Sequence, residues 1–170
     1  ACAYGAPRGL SRALFDPKSE AGREAFLCLA ERADVIIESF RPGVVDRLGI
    51  GYEAVRALNP RVVYCSTSGY GQDGPASKWA GHDINYLGLT GFLHATGEAD
   101  RSPPPPPNIG ADYGGGTMFL LFGIMAALYE RQTSGKGQVV DAAMVDGASA
   151  MMALIHTFIA RGHWSEARQA

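Results

Sequence analysis

Two clusters of residues in this chain are suited to moving a proton beside a carbonyl. Gly81-His82-Asp83-Ile84-Asn85-Tyr86 supplies an imidazole next to a carboxylate. Ala111-Asp112-Tyr113-Gly114-Gly115-Gly116 supplies a carboxylate at the mouth of a glycine-rich helix start. Imidazole titrates near neutrality, so His82 can take a proton and return it, and Asp83 stands where it can orient that ring or tune it. Each group also has a plain structural reading: a lone histidine at a helix start, and an aspartate serving as an N-cap. The glycines argue for more at position 112, because each costs about 1 kcal/mol relative to alanine in a helix. That cost makes sense if something must approach the backbone closely. A glycine-lined helix start also offers N–H groups, those of Gly114 and Gly115 among them, and a positive dipole end to a developing oxyanion.

Other polar groups carry less. The loop Ser66–Pro75 is rich in glycine and could cradle a phosphate through its amides, but it is not a Walker sequence. Lys18, Arg41 and Arg61 are candidate phosphate contacts. His94, His156 and His163 share no metal-like spacing with one another or with His82. Asp141 and Asp146 are a candidate catalytic pair, but a strand end and a helix cap explain them well enough. Cys2, Cys28 and Cys65 have no CxxC or metal-ligand spacing, which points to reduced, partly buried thiols in a cytosolic protein.

The elements that must position the two clusters follow from pattern. Ala13-Leu14-Phe15 reads as an edge strand stopped by Pro17. Ser19 is an N-cap for a helix that runs to about Arg32, with Phe26, Leu27, Leu29 and Ala30 on its apolar side. Val35–Ile37 is a strand, Val44–Leu48 and Tyr52–Leu58 are helices, and Val62–Cys65 is a second strand. This alternation predicts a parallel sheet with crossover helices, whose ligands sit beyond the carboxyl ends of the strands, where the loops from Glu38 and Ser66 begin. No GxGxxG is present, which argues against a dinucleotide. His82 to about Thr96 is helical, with Tyr86, Leu89 and Leu93 on one side. Pro103–Pro107 stiffens an extended spacer. Asp112–Gln132 is the longest helix, burying Met118, Leu121, Phe122, Met125 and Leu128. Gln138–Asp141 is a further strand and Met144–Ala160 a final apolar helix.

Totals exclude some classes. With 170 residues, 46% hydrophobic and 19% charged, the chain has enough apolar material for a core. A net charge of −2 from 15 basic and 17 acidic residues is no nucleic-acid footprint. The apolar run Thr117–Leu128 is shorter than the roughly 20 residues of a membrane span, and residues 1–10 lack a signal-peptide core. No nucleic-acid or membrane partner is expected. A start without Met and an abrupt end at Gln169-Ala170 suggest a fragment of a longer protein.

The two clusters, together with Asn108-Ile109-Gly110 before the second, Ser134-Gly135-Lys136-Gly137-Gln138-Val139-Val140-Asp141 and Phe40-Arg41-Pro42-Gly43, resemble the family III CoA-transferase superfamily (CaiB/BaiF type). Within it, the His82 motif resembles the alpha-methylacyl-CoA racemases. The resemblance implies an α/β fold, with a Rossmann-like parallel sheet and flanking helices followed by long helices. Residues 1–170 would form an incomplete large domain, without the family's amino-terminal strand and helix or its small second domain. It implies a cytoplasmic, interlocked homodimer in the parent, and no cofactor, CoA being part of the acyl-CoA substrate. The implied reaction is racemisation of a 2-methylacyl-CoA by 1,1-proton transfer through an enolate, with His82 and Asp112 as the acid/base pair. Implied CoA contacts are Phe15, Asp16, Pro17 and Lys18, and Gly81, Asp83, Ile84, Asn85 and Tyr86. Two positions depart from the racemase pattern: Pro17 stands for a leucine, and Ser66 for an arginine. The alternative is a transferase in which Asp112 attacks the thioester to give a mixed anhydride. Transferases generally carry another residue at the His82 position. A third reading is a non-enzymatic CoA-binding module.

Overall fold

Three short strands form one parallel sheet in the order β1 (Val35–Glu38), β2 (Val63–Ser68), β3 (Val139–Ala143). Val35 pairs with Val63, and Tyr64 with Val139, so β2 lies in the middle. The structure is a computed structural model and describes residues 9–165 and 167; Cys2 and Arg8 lie outside them. β2 shows why a parallel sheet forms here. Its side chains alternate between two covered faces, so the strand is apolar throughout its first half. Val63 and Cys65 point into one cluster with Leu120, Ile124, Ala127 and Ala142. Val62 and Tyr64 meet Ala30 and Val55 on the other face.

The second face is covered by α1 (Glu20–Ala30) and α3 (Tyr52–Leu58), with α2 (Val44–Arg47) between β1 and α3. Ser19 caps α1 as expected, its Oγ accepting the Gly22 N–H at 3.0 Å. Phe26, Leu27 and Ala30 pack inward, whereas Leu29 is exposed. The first face is covered by a continuous helical rod. It opens as a π-helix, Ile109–Met118, and continues as α6 (Phe119–Ser134). Between β2 and that rod come α4 (Asp83–Leu89) and α5 (Phe92–Thr96), and after β3 come α7 (Met144–Met151) and α8 (Ala153–Ala160).

Several expectations change. Residues 10–16 form no strand, and Leu14 stands in solvent, because no neighbouring strand offers that segment a ladder. The helix expected from His82 to Thr96 breaks at Gly91, whose φ of 81° ends one helix and starts the next; Tyr86 is buried as expected, whereas Leu89 is exposed and Leu87 is buried in its place. The final helix is two, meeting at Met152. Cys28 is exposed rather than partly buried. Cys65 is buried, and burial pushes its thiol up to about 11, which makes it unreactive.

The largest difference lies in the long rod. Leu120, Ile124, Ala127 and Arg131 face the core, while Met118, Leu121, Phe122 and Met125 are exposed. Two causes act together. Residues 119–129 are apolar at nearly every position, so period alone selects no face. The π-turns before them also step by five residues rather than four, which rotates the phase. As one helix, Ile109–Ser134 has 26 residues and is long and apolar enough to cross a membrane by length and composition alone, which corrects the shorter stretch read from the sequence. Its inner face packs on the sheet, and Arg131 near its far end is buried, pairing with Asp34 at 2.8 Å. The helix is thus packed on one side, with its outer apolar face exposed.

Candidate acid/base site at the carboxyl ends of the strands

A cleft of about 360 Å3 opens where the crossover topology predicts it, beyond the carboxyl ends of β1 and β2. The loop after β1 contributes Ser39–Pro42, and the end of β2 and its loop contribute Thr67–Tyr70. Gly81, His82 and Tyr86 close it from the side of α4.

His82 is the N-cap of α4. It is exposed, and its N–H donates to the Asn85 side chain at 2.9 Å, which fixes the start of the helix. Asn85 therefore acts on the chain itself, and Ile84 is exposed. Tyr86 is buried, its ring 5.0 Å from that of Tyr70 in an edge-on contact. A Cβ on Gly69 would lie 2.3 Å from the Tyr86 hydroxyl, and one on Gly81 would lie 2.7 Å from the Tyr70 hydroxyl. These two glycines exist to admit the tyrosines.

Asp112 lies in the first turn of the π-helix, which has Asn108 as its N-cap. Asp112 is therefore not a cap, and the structural reading of it given above falls. It sits within hydrogen-bonding reach of His82's own helix. Oδ1 of Asp83 accepts the N–H of Ala111 at 2.7 Å and that of Asp112 at 2.8 Å. Burial raises the pKa of Asp112, and the negative charge of Asp83 adds to this, while a hydrogen bond from Asn108 and the charge of His82 act in the opposite direction. His82 lines the cleft and Asp112 does not; the two are linked through Asp83, which follows His82 in the chain and accepts the Asp112 amide. The Asp83 carboxylate, read as a CoA contact, is instead turned inward on the π-helix.

The glycines have a different use from the one expected. Helix formation begins at Ile109, so Gly114 and Gly115 lie beyond its exposed first turn. Gly115 is buried, and a Cβ there would lie 2.6 Å from the Met144 carbonyl oxygen. A Cβ on Gly147 would lie 1.9 Å from the Gly115 carbonyl oxygen. What approaches the glycine backbone closely is α7.

The other predicted contacts separate from this cleft. Pro17 and Lys18 line a second one, of about 430 Å3, together with Arg23 and Arg47. The first helical turn of α1 and the end of α2 thus add two cations that sequence reading passed over; a crossover pattern gives no sign that these two elements meet. Phe15 packs on Phe26 at 6.3 Å, and Asp16 accepts the Lys18 N–H at 3.0 Å, so this pair shapes the turn. The two clefts share no lining residue, but the chain from Ser39 to Arg47 joins them. Arg41 lines the first cleft. Arg61 lies at the opposite end of β2, bonded to the Gly135 carbonyl. In the Ser66–Pro75 loop, Gly71 donates to Ser68 Oγ and Gln72 to Asp141, so two amides of the supposed phosphate cradle are already used. Among the described residues no group of His, Cys, Asp and Glu is arranged to hold a metal.

The chain has relatives of two chemistries. It is 41% identical over 161 residues to the alpha-methylacyl-CoA racemase of Mus musculus, an alignment covering 95% of this chain and 42% of that protein. It is 40% identical over 149 residues to the acetyl-CoA:oxalate CoA-transferase of Acetobacter aceti, covering 85% of this chain and 37% of that one. A CAIB/BAIF family protein from Brucella suis superposes with a TM-score of 0.83 at 37% identity, covering 91% of this chain and 40% of that structure. The chain spans about two fifths of the length of each. Residues 4–168 match the model of CoA-transferase family III. With these residues matched and this sheet and helix order shared, the chain belongs to CoA-transferase family III.

Proposed function

We propose that the whole protein racemises a 2-methylacyl-CoA thioester, with His82 and Asp112 exchanging roles as acid and base on the α carbon. The observation that supports this reading is the junction of α4 and the π-helix, where the residue after His82 accepts the Asp112 amide at 2.8 Å and the Asp112 carboxyl has a raised pKa. One group breaks the α C–H bond and keeps the proton, the electron pair passes into the thioester as an enolate, and the other group delivers a proton to the carbon. A carboxyl shifted towards neutrality both accepts and returns a proton more readily at pH 7 than an ordinary one. The Ala111 and Asp112 amides, held by Asp83, are not free to receive the enolate oxygen. Ser68 Oγ accepts the Gly71 amide and keeps its own hydroxyl proton to donate into the cleft. The cleft of Lys18, Arg23 and Arg47 keeps a positive excess although Glu20 also lines it and pairs with Arg23 at 3.9 Å, which suits the phosphates of CoA, and the 39–47 segment leads from it to His82.

The racemase relatives support this reading, as does His82 itself. The transferase relatives, and Ser66 in place of an arginine, favour the second: Asp112 attacks the thioester carbonyl, expels CoA thiolate and becomes a mixed anhydride. The test is to supply the whole protein with a 2-methylacyl-CoA in deuterated water. Deuterium entering the α position without an acceptor acid supports racemisation. Transfer of CoA to a free carboxylate with no exchange sinks it in favour of the transferase.

A further inference from the structure

Asp83 is only 5% exposed, and its carboxylate is used unevenly. Oδ1 takes two backbone N–H groups, those of Ala111 and Asp112, whereas Oδ2 is buried without a hydrogen-bond partner. A helix start is ordinarily satisfied by the residue just before it, and a neutral Ser, Thr or Asn does that as well as Asp. Here the acceptor comes from another helix, from the residue next to His82, and it leaves a buried oxygen orphaned. That is a costly way merely to cap a helix.

We propose that Asp83 is a positioning residue for the acid/base pair, clamping the backbone of Asp112 to the helix that starts at His82 and placing a negative charge beside the Asp112 carboxyl. The proposal rests on reading Asp112 as an acid/base group. The groups facing Asp112 agree with it. From α4, Asp83 disfavours ionisation of Asp112 and His82 favours it. Tyr86, also on α4, has its own pKa raised chiefly by burial, with Tyr70, Asp112 and Asp83 adding to it. Asn108 donates a hydrogen bond to Asp112. From α7, packed on the π-helix, Met144, Gly147, Ala148 and Met151 meet the glycines, and Asp146 bears on Asp141.

The test compares Asp83→Asn, which keeps an acceptor oxygen but removes the charge, with Asp83→Ala, which removes both, in the whole protein by NMR and by α-proton exchange. With Asp83→Asn, the titration of the Asp112 carboxyl carbon and the acid limb of the exchange rate both move to lower pH, while KM stays within about twofold. With Asp83→Ala, the Ala111 and Asp112 amide protons lose their downfield shifts and kcat falls roughly 10- to 100-fold. A variant with an unaltered Asp112 titration and unaltered amide shifts overturns the proposal, and if the alanine variant does not fold, the asparagine variant decides alone. A wild-type protein that exchanges no α-proton defeats the acid/base reading, and the NMR titration still decides the clamp.

Discussion

In the first ten residues of the rod Ile109–Ser134, backbone meets backbone. Gly115 and Gly116 are buried, and the carbonyl of Gly115 lies so close to α7 that residue 147 has no room for a Cβ. In the following sixteen residues, contact is made by side chains on one side alone: Leu120, Ile124 and Ala127 reach the sheet, and Phe122, Met125 and Tyr129 stand in solvent at 77%, 65% and 81% exposure. The first half is held by the absence of side chains and carries the polar group Asp112. The second is held by ordinary apolar burial and carries none of the site. Close packing of two backbones tolerates no added atom, whereas a half-covered apolar face tolerates many.

The harshest way to break this contrast is Gly147→Val. Its side chain would enter the Gly115 backbone, which cannot swing aside as a flexible side chain would, and the expected loss exceeds about 4 kcal/mol or abolishes folding; a urea midpoint within experimental error of wild type would show that the two helices can part freely. Next comes Asp112→Asn, expected to slow α-proton exchange by roughly 10^2- to 10^4-fold. Its effect on stability has a definite sign. Because the pKa of Asp112 is raised in the folded state, the fold holds that proton more tightly than the unfolded chain does. Ionisation therefore penalises the fold above the folded pKa, and the penalty disappears as pH falls through it. An asparagine never ionises, so at pH 7 the variant should melt no lower than wild type. Full activity in that variant would leave Asp112 as scaffold. By the same shift, the acid limb of exchange in wild type should lie above the ordinary aspartate value of about 3.9.

Within the second half, Leu120→Ala is expected to cost about 2–5 kcal/mol and Phe122→Ser no more than about 0.5 kcal/mol in the 170-residue chain, both read from denaturant melts. A Phe122→Ser effect of Leu120→Ala size in the whole protein, but not in this chain, would show that something further covers the outer face.

The pairing of residues 82 and 112 is what the family resemblance implies, whereas the parallel sheet and the position of the cleft could be argued from residues alone, because strand length and crossover order are local signals. The inward face of the rod could not, since an almost uniformly apolar segment following a π-helix has no readable phase. Nor could the role of Asp83: in the sequence it is the neighbour of His82, and only the fold turns its carboxylate towards an amide 29 positions away. The purpose of the glycines was read half correctly. They do mark a close approach, but the visitor is another part of the same chain.

One consequence of the Asp83 contact concerns the proline-rich strap between α5 and the π-helix. Registration of α4 against the start of the π-helix is set where one carboxylate grips two amides, not by the span of chain that wanders between them. A strap relieved of measuring duty can lengthen or shorten over generations without shifting one helix against the other. Sister proteins should therefore vary most freely there and least at the grip.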